Sequence, residues 1–262
     1  MKSKNMIIIF LIFFSFPLMA HCQPSAKEIM QKTREVSKIK GMEAISTLNI
    51  YDSKGRERTR EISMASRLFD NGDTEKRIIR FLAPAEVKGT GMLIFDYDDR
   101  TDDMWIYMPA LRKTRRIVSS EKGQSFMGSE FSNADMAAPN LDDYQYKLLG
   151  SEMQDGIDCW KIEVLPVNDD VADETGVGRK ITWIGKEDFV TRKSEYYDPD
   201  NDLWKILTAS DIRNITNGKF MAAFMQMENV RNERKSVFTF DRLQYSPDVK
   251  LEYFTVSFLE KI

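Results

Sequence analysis

The sequence predicts a mainly β protein, an antiparallel meander with one helix at its start. Three observations carry that expectation. From about residue 42 onward, apolar and polar residues alternate with a period of two, and polar turns recur roughly every ten residues. A helical period occurs once, between residues 24 and 40. No long helical pattern lies between strands, which argues against a parallel βαβ sheet. No Pro/Gly/Ser-rich linker and no internal repeat divides the chain, so residues 23–262 are expected to form one domain.

The first element is a targeting segment. Lys2 and Lys4 precede an apolar run at residues 6–16 (MIIIFLIFFSF), closed by Pro17. That run is shorter than the ~20 residues of a membrane span and fits a secretory signal peptide over residues 1–22. Cleavage after Cys22 would place Ala20 and Cys22, both small, at the recognised positions and leave Gln23 first. The alternative is a lipoprotein acylated at Cys22, although His21 is bulky where such a site wants a small residue. Export is expected.

The helix of residues 24–40 opens on Pro24 and Ser25, buries Ile29, Met30, Val36 and Ile39, and stops before Gly41. Strands are expected at 42–51 and 57–68, joined by the hairpin turn Asp52-Ser53-Lys54-Gly55, with Asn71-Gly72 as the next reversal. Further strands follow at 74–82, 91–97, 104–109, 112–118, 143–149, 158–165, 178–185, 189–197, 203–210, 219–229 and 236–244. The 104–109 strand is apolar on both faces, Met104, Ile106 and Met108 opposing Trp105 and Tyr107. Such a strand is expected to separate the core from a covering helix or a cavity.

Residues 119–142 break this rhythm. Gly123, Gly128 and several serines alternate with Phe126, Met127, Phe131 and Met136, and Ser132-Asn133-Ala134-Asp135 offers a cap for a short helix before Pro139. Loops of this length are uncommon and usually functional. Two readings stay open: a lid laid over an apolar surface, or a loop pinned to the core.

Composition excludes several function classes. Lys plus Arg number 38 and Asp plus Glu 41, a net charge of −3, without the basic domain of a nucleic-acid binder. The single histidine, His21, lies in the segment expected to be removed. The remaining chain can therefore run no Ser-His-Asp or Cys-His mechanism and hold no His-ligated zinc. Cys159 is then the only cysteine, so no internal disulfide can form, and its place before Trp160 in a strand suggests a small buried hydrophobe. Asp96, Asp98, Asp99, Asp102 and Asp103, and separately Asp198, Asp200 and Asp202, lack the ordered calcium-loop pattern and read as solvated turns. There is no Walker or dinucleotide glycine loop. No catalytic residue, metal or cofactor is expected.

Two features remain as candidates. Arg112-Lys113-Thr114-Arg115-Arg116 is the densest basic run. On a strand it places Arg112, Thr114 and Arg116 on one face and Lys113 and Arg115 on the other, either as a solvated strand or as a cationic rim for an anionic head group. Twelve of the fifteen methionines lie beyond residue 22, and Met221, Met225 and Met227 share one strand with Phe220 and Phe224. They either fill gaps in an ordinary core or form a surface adaptable to varied apolar ligands.

The run from Met104 to Ile117 (MWIYMPALRKTRRI), followed by Gly123, Phe126-Met127-Gly128-Ser129, Glu130-Phe131-Ser132 and Asp135-Met136, resembles the signature of LolA-like outer-membrane lipoprotein-sorting proteins. Gly89-Thr90-Gly91 and Phe254-Thr255 with Leu259-Glu260 fit the same pattern. The resemblance implies a mainly β fold with flanking helices: a strongly curved antiparallel sheet, an incomplete β-barrel, closed by helices around an apolar cavity. It also implies a non-enzymatic periplasmic carrier that takes acylated lipoprotein or lipid to the outer membrane, working between an inner-membrane exporter and an outer-membrane acceptor. The residues expected to touch the cargo are Trp105, Tyr107, Phe126, Met127, Phe131, Met136, Phe224 and Met225. Arg112, Arg115 and Arg116 are the candidates for contact with the lid or an anionic head group. The competing readings are a histidine-free envelope hydrolase with paired carboxylates, and a scaffold of a lipid-export complex.

Overall fold

A computed structural model describes residues 23–261. The expected signal segment, with His21 and Cys22, lies outside the described residues. Helix α1 (Ala26–Ser37) starts as its sequence dictates: the Ser25 hydroxyl accepts from the Glu28 amide while the Glu28 carboxylate accepts from the Ser25 amide at 2.7 Å. This reciprocal cap satisfies two of the amides that a helix start leaves open. Ala26, Ile29, Met30 and Val36 are its buried stripe.

The strands are β1 (Gly41–Tyr51), β2 (Glu57–Phe69), β3 (Thr74–Ala83), β4 (Gly91–Tyr97), β5 (Asp103–Met108), β6 (Lys113–Ile117), β7 (Tyr144–Gln154), β8 (Ile157–Pro166), β9 (Arg179–Gly185), β10 (Thr191–Tyr197), β11 (Leu203–Thr216), β12 (Lys219–Asn229) and β13 (Arg234–Tyr245). They form one antiparallel sheet in the order β6-β5-β4-β3-β2-β1-β13-β12-β11-β10-β9-β8-β7. Two meanders therefore grow outward from the central β1–β13 pair, whose register runs from Met42 opposite Tyr245 to Tyr51 opposite Lys235. Register shifts at Ile45/Ser46, Glu61/Ile62, Leu148/Gly150 and Tyr196/Tyr197 add the local bends that roll the sheet. The sheet stays open. Its free edges, β6 and β7, are consecutive in the chain, so the segment of residues 118–143 must cross from one edge to the other.

Three details differ from the sequence expectation. Pro109 ends β5 and begins a 3-10 turn, Pro109–Leu111, and Arg112 takes a left-handed conformation (φ 45), so β6 begins only at Lys113. Helix α2 (Asp169–Thr175) is too short to show a period, and its signals were Asn168, whose side chain accepts from the Val171 amide, and Gly176, left-handed at the C-cap. A C-terminal turn (Leu251–Phe254) and helix α3 (Val256–Leu259) cover the outer face of the sheet.

Both faces of the β1–β6 half are therefore buried. Inside, Leu48, Ile50, Ile62, Ile79, Met92, Ile94 and Met104 form the main core. Outside, Ala65, Ile78, Leu93 and Tyr107 pack beneath Val249, Phe254 and Leu259. On the other half, α1 packs on Trp160, Ile162, Val164 and Ile184. Cys159 is fully buried on the outer face beside Ile181 and Trp183, and burial pushes its thiol above the ordinary range.

Candidate functional site

The concave face is not filled. A cavity of about 520 Å³ remains between the sheet, α1 and the crossing segment, within the range of small-molecule sites. Eight methionines line it, namely Met30, Met42, Met64, Met104, Met136, Met221, Met225 and Met227, together with Phe131, Phe189, Phe220, Phe238 and Phe240. The alternation of each strand explains this lining: Met221, Met225 and Met227 project inward from β12 as every second residue does. Flexible, polarizable thioethers can repack around apolar guests of differing shape.

The crossing segment has two parts. Residues 123–132 form a plug pinned to the barrel. Phe126 is fully buried against Phe81, ring centroids 5.7 Å apart, and the Phe126 amide donates to Phe131 O at 2.8 Å across a turn made by Met127 (φ 51) and Gly128 (φ 81). Glu130 anchors it. Its carboxylate accepts from Asn229 Nδ2 at 3.0 Å and pairs with Arg234 Nε at 2.9 Å, its carbonyl accepts from Lys205 Nζ at 2.7 Å, and its amide donates to Ser236 Oγ at 2.9 Å. Gly123 lets the plug enter under α2, since a Cβ there would lie 2.9 Å from Thr175 O. The Lys122–Glu174 ion pair fastens the same corner.

Residues 133–140 form a strap over the cavity mouth. Ser132 and Asp135 bond reciprocally beside its 3-10 turn, Ala134–Met136: Asp135 Oδ2 accepts from the Ser132 amide and hydroxyl, both at 2.7 Å, and the Ser132 hydroxyl accepts from the Asp135 amide. Two groups, the half-buried Arg77 and the buried Asp96, hold the strap down. Arg77, projecting inward from β3, donates to Met136 O and pairs with Glu75 at 2.9 Å. Asp96, projecting inward from β4, accepts from the Ala138 amide at 2.9 Å and from Arg34 of α1 at 2.6 Å. Burial disfavours the charge on Arg34, yet its bonds to Asp96 and Asp98 outweigh this and raise its pKa above the ordinary range. One network thus joins α1, β4 and the strap.

Of the apolar residues expected to touch cargo, Phe131, Met136 and Met225 line the cavity. The other five do not. Trp105 and Tyr107 face outward and pack under the C-terminal segment, because in β5 it is Met104 and Ile106 that point into the barrel. The second apolar face of that strand therefore meets helix and turn, not the cavity. Phe126 and Met127 belong to the plug, and Phe224 lies on the opposite face of β12 from Met225. The three arginines are displaced as well. Arg112 sits in the turn before β6 and does not share a strand face with Arg116. Arg115 pairs with Glu121 at 2.6 Å and Arg116 with Asp103, both on the exposed edge strand. None of the three lines the cavity. Arg112→Gln, Arg115→Gln and Arg116→Gln should each change unfolding free energy by no more than about 0.5 kcal/mol in urea melts. Arg34, Arg77 and Asp96 were the residues sequence reasoning missed. Asp96 is buried on the inner face, in alternation with Met92 and Ile94, and not in a solvated turn as the acidic cluster suggests.

Asp102 also lines the mouth. Its Oδ1 accepts from the Tyr97 amide at 3.1 Å, and burial, reinforced by the charge of Asp96, pushes its carboxyl up to about 7. Unfolded, the group titrates at about 3.9. Between these values the folded chain binds the extra proton, so stability should fall as pH rises from about 4 to 7 and then level off, at no more than roughly 1.4 kcal/mol per pH unit. Asp102→Asn should flatten that slope and raise the melting temperature at pH 7, which thermal melts across pH 4–8 would measure.

A solved DUF1329 family protein from Desulfovibrio piger is 32% identical over 89% of this chain and 97% of its own, with a TM-score of 0.81. The chain belongs to the DUF1329 family. A family model described as an "Uncharacterized protein"-like family matches residues 73–261. A structure described as an outer-membrane lipoprotein-sorting protein domain, from Vibrio parahaemolyticus, superposes with a TM-score of 0.83 at 25% identity, over 90% of this chain and 98% of that one. A LolA superfamily protein from Nitrosomonas europaea shares the fold at 20% identity with a TM-score of 0.69, over 90% of this chain and all of its own. The curved, open sheet of this DUF1329 chain is thus the LolA-superfamily fold. A search of curated proteins gives no match.

Proposed function

We propose that this DUF1329 protein is a non-enzymatic carrier of the bacterial periplasm that shelters the acyl chains of lipoprotein or lipid in its cavity. The observation that carries the reading is the unfilled, methionine-rich cavity beneath a strap tethered by Arg77 and Asp96. Removing apolar surface from water gives about 0.8 kcal/mol per methylene, so a few methylenes suffice for useful affinity. The name of the Vibrio relative points to the same class of cargo. In this reading the donor is an inner-membrane exporter and the acceptor lies at the outer membrane. A scaffold would have a filled barrel. Of the acids that line the cavity, Glu75 pairs with Arg77, Glu174 with Lys122, Asp135 bonds Ser132 and Asp102 accepts from the Tyr97 amide, so these four are each engaged by a protein group.

The test is chemical. Organic extraction of gently purified protein, followed by mass spectrometry, should recover acyl-chain compounds in near-equimolar amount. Adding a long-chain amphiphile to the stripped protein should change indole emission. Trp204 lines the cavity, so Trp204→Phe should lose most of that response and Trp105→Phe should keep it. A stripped, folded protein that binds no amphiphile would overturn the reading.

A further inference from the structure

The cavity is not uniformly apolar. A row of inward-facing residues crosses the sheet in register: Lys180 of β9 lies between Val164 and Tyr196, Tyr196 lies opposite Lys205, Lys205 opposite Asn229, and Asn229 opposite Arg234. With strands ~4.8 Å apart, Lys180 and Lys205 stand about 10 Å from each other on the same face. One end of this cationic row is satisfied, since Glu130 of the plug takes Lys205 through its carbonyl and Arg234 and Asn229 through its carboxylate. The other end is not. Among the described residues the Lys180 ammonium makes no hydrogen bond and no ion pair, and its one polar contact is with the ring of Tyr196, 5.7 Å from the centroid.

Lys180 is half-buried, and its side chain lines the cavity. The hydroxyls of Tyr196 and Tyr144, which line the same space, also make no hydrogen bond among the described residues. The carboxylate whose charge favours the Lys180 ammonium, Asp135, is committed to Ser132 and makes no ion pair with Lys180. Burial lowers the pKa of Lys180, the signature of a cation that lacks a full counter-charge. A half-buried cation and two half-buried tyrosines, all lining the cavity and none with an acceptor among the described residues, form a site that suits an anion.

We propose that Lys180, flanked by the Tyr196 and Tyr144 hydroxyls, receives the carboxylate or phosphate head group of a single amphiphile whose chain lies among the methionines. This rests on the carrier reading and narrows its cargo to anionic amphiphiles. Only an acceptor that enters with an apolar chain gains from both the cation and the surrounding thioethers.

The experiment compares matched sixteen-carbon ligands on stripped protein by calorimetry: hexadecanoate, hexadecyl phosphate and uncharged hexadecanol, with inorganic phosphate as competitor. Wild type should bind the two anions about tenfold or more tighter than hexadecanol. Lys180→Met should bring all three to similar affinity while leaving hexadecanol binding and the melting temperature intact. Lys180→Gln, which keeps a polar group in place, should do the same. Tyr196→Phe should lose part of the anion preference. Equal affinity for the three ligands in wild type, or a preference that survives in Lys180→Met, would overturn the assignment while leaving the carrier reading standing. Inorganic phosphate binding as tightly as hexadecyl phosphate would overturn it in favour of a free anion. Failure of all three long-chain ligands to bind folded wild type would instead overturn the carrier reading on which it rests.

Discussion

Arg77→Met should both destabilise the protein and free the strap. The substitution removes the donor to Met136 O and strands the Glu75 carboxylate, whose side chain is only 10% exposed. Removing one partner of a buried pair costs about 3–5 kcal/mol, and in a chain of this size each kcal/mol lowers melting by roughly 2–4 °C. The tether can be separated from the stranded charge. Arg77→Met combined with Glu75→Gln should recover much of the melting temperature, because no unpaired carboxylate remains. It should not recover the hold on the strap. Hydrogen exchange at residues 134–138 should therefore be faster in both variants, and a bound amphiphile should dissociate faster from both. Equal exchange in wild type and the double variant would show that the strap needs no tether at Arg77.

Asp96→Ala is expected to have a comparable effect through a different route. It leaves Arg34, with a side chain 12% exposed, without its main counter-charge and leaves the Ala138 amide without an acceptor. The cost should again be about 3–5 kcal/mol, read as a lowered midpoint in urea. Asp98→Asn is the control. Asp98 shares Arg34 and Lys38, but its side chain is 37% exposed, so its loss should cost about 1 kcal/mol or less. Similar melting for the two variants would mean that Arg34 is held by Asp98 as firmly as by Asp96.

The strands and helix α1 were legible because each rests on local pattern. Ser25 with Glu28 starts the helix, and the period of two placed the strands to within a few residues, although β7 and β11 run on well past their expected ends. What alternation cannot supply is which face of a doubly apolar strand looks inward. A strand apolar on both faces suggests a cavity beside Trp105 and Tyr107, whereas the C-terminal residues Val249, Phe254 and Leu259 return to cover them. That contact spans more than 140 residues of sequence and leaves no local mark. The basic run misled for a related reason. Its density suggested a site, but β6 is an edge strand and its charges face solvent. The residues that do act at the mouth are charges at inward positions: Asp96 shares its face with Met92 and Ile94, Arg77 and its partner Glu75 share theirs with Ile79 and Phe81, and Arg34 lies on α1. Lys180 in the sequence RKITWIG carries the same signal, sharing a face with Thr182 and Ile184. A charge on an inward register among apolar residues was the informative pattern, and a charge cluster on an edge strand was not.

The central claim is that an acyl chain occupies the space between the sheet and the strap. Photo-crosslinking with a diazirine-bearing hexadecanoate, followed by peptide mapping, tests it most directly. Saturable adducts are expected within the segments 131–141 and 220–227, which carry cavity-lining residues such as Phe131, Met136, Met221 and Met225, and should be lost on competition with unlabelled hexadecanoate. Adducts confined to the outer face, at residues 105–107 and 251–259, or labelling that no competitor reduces, would contradict it.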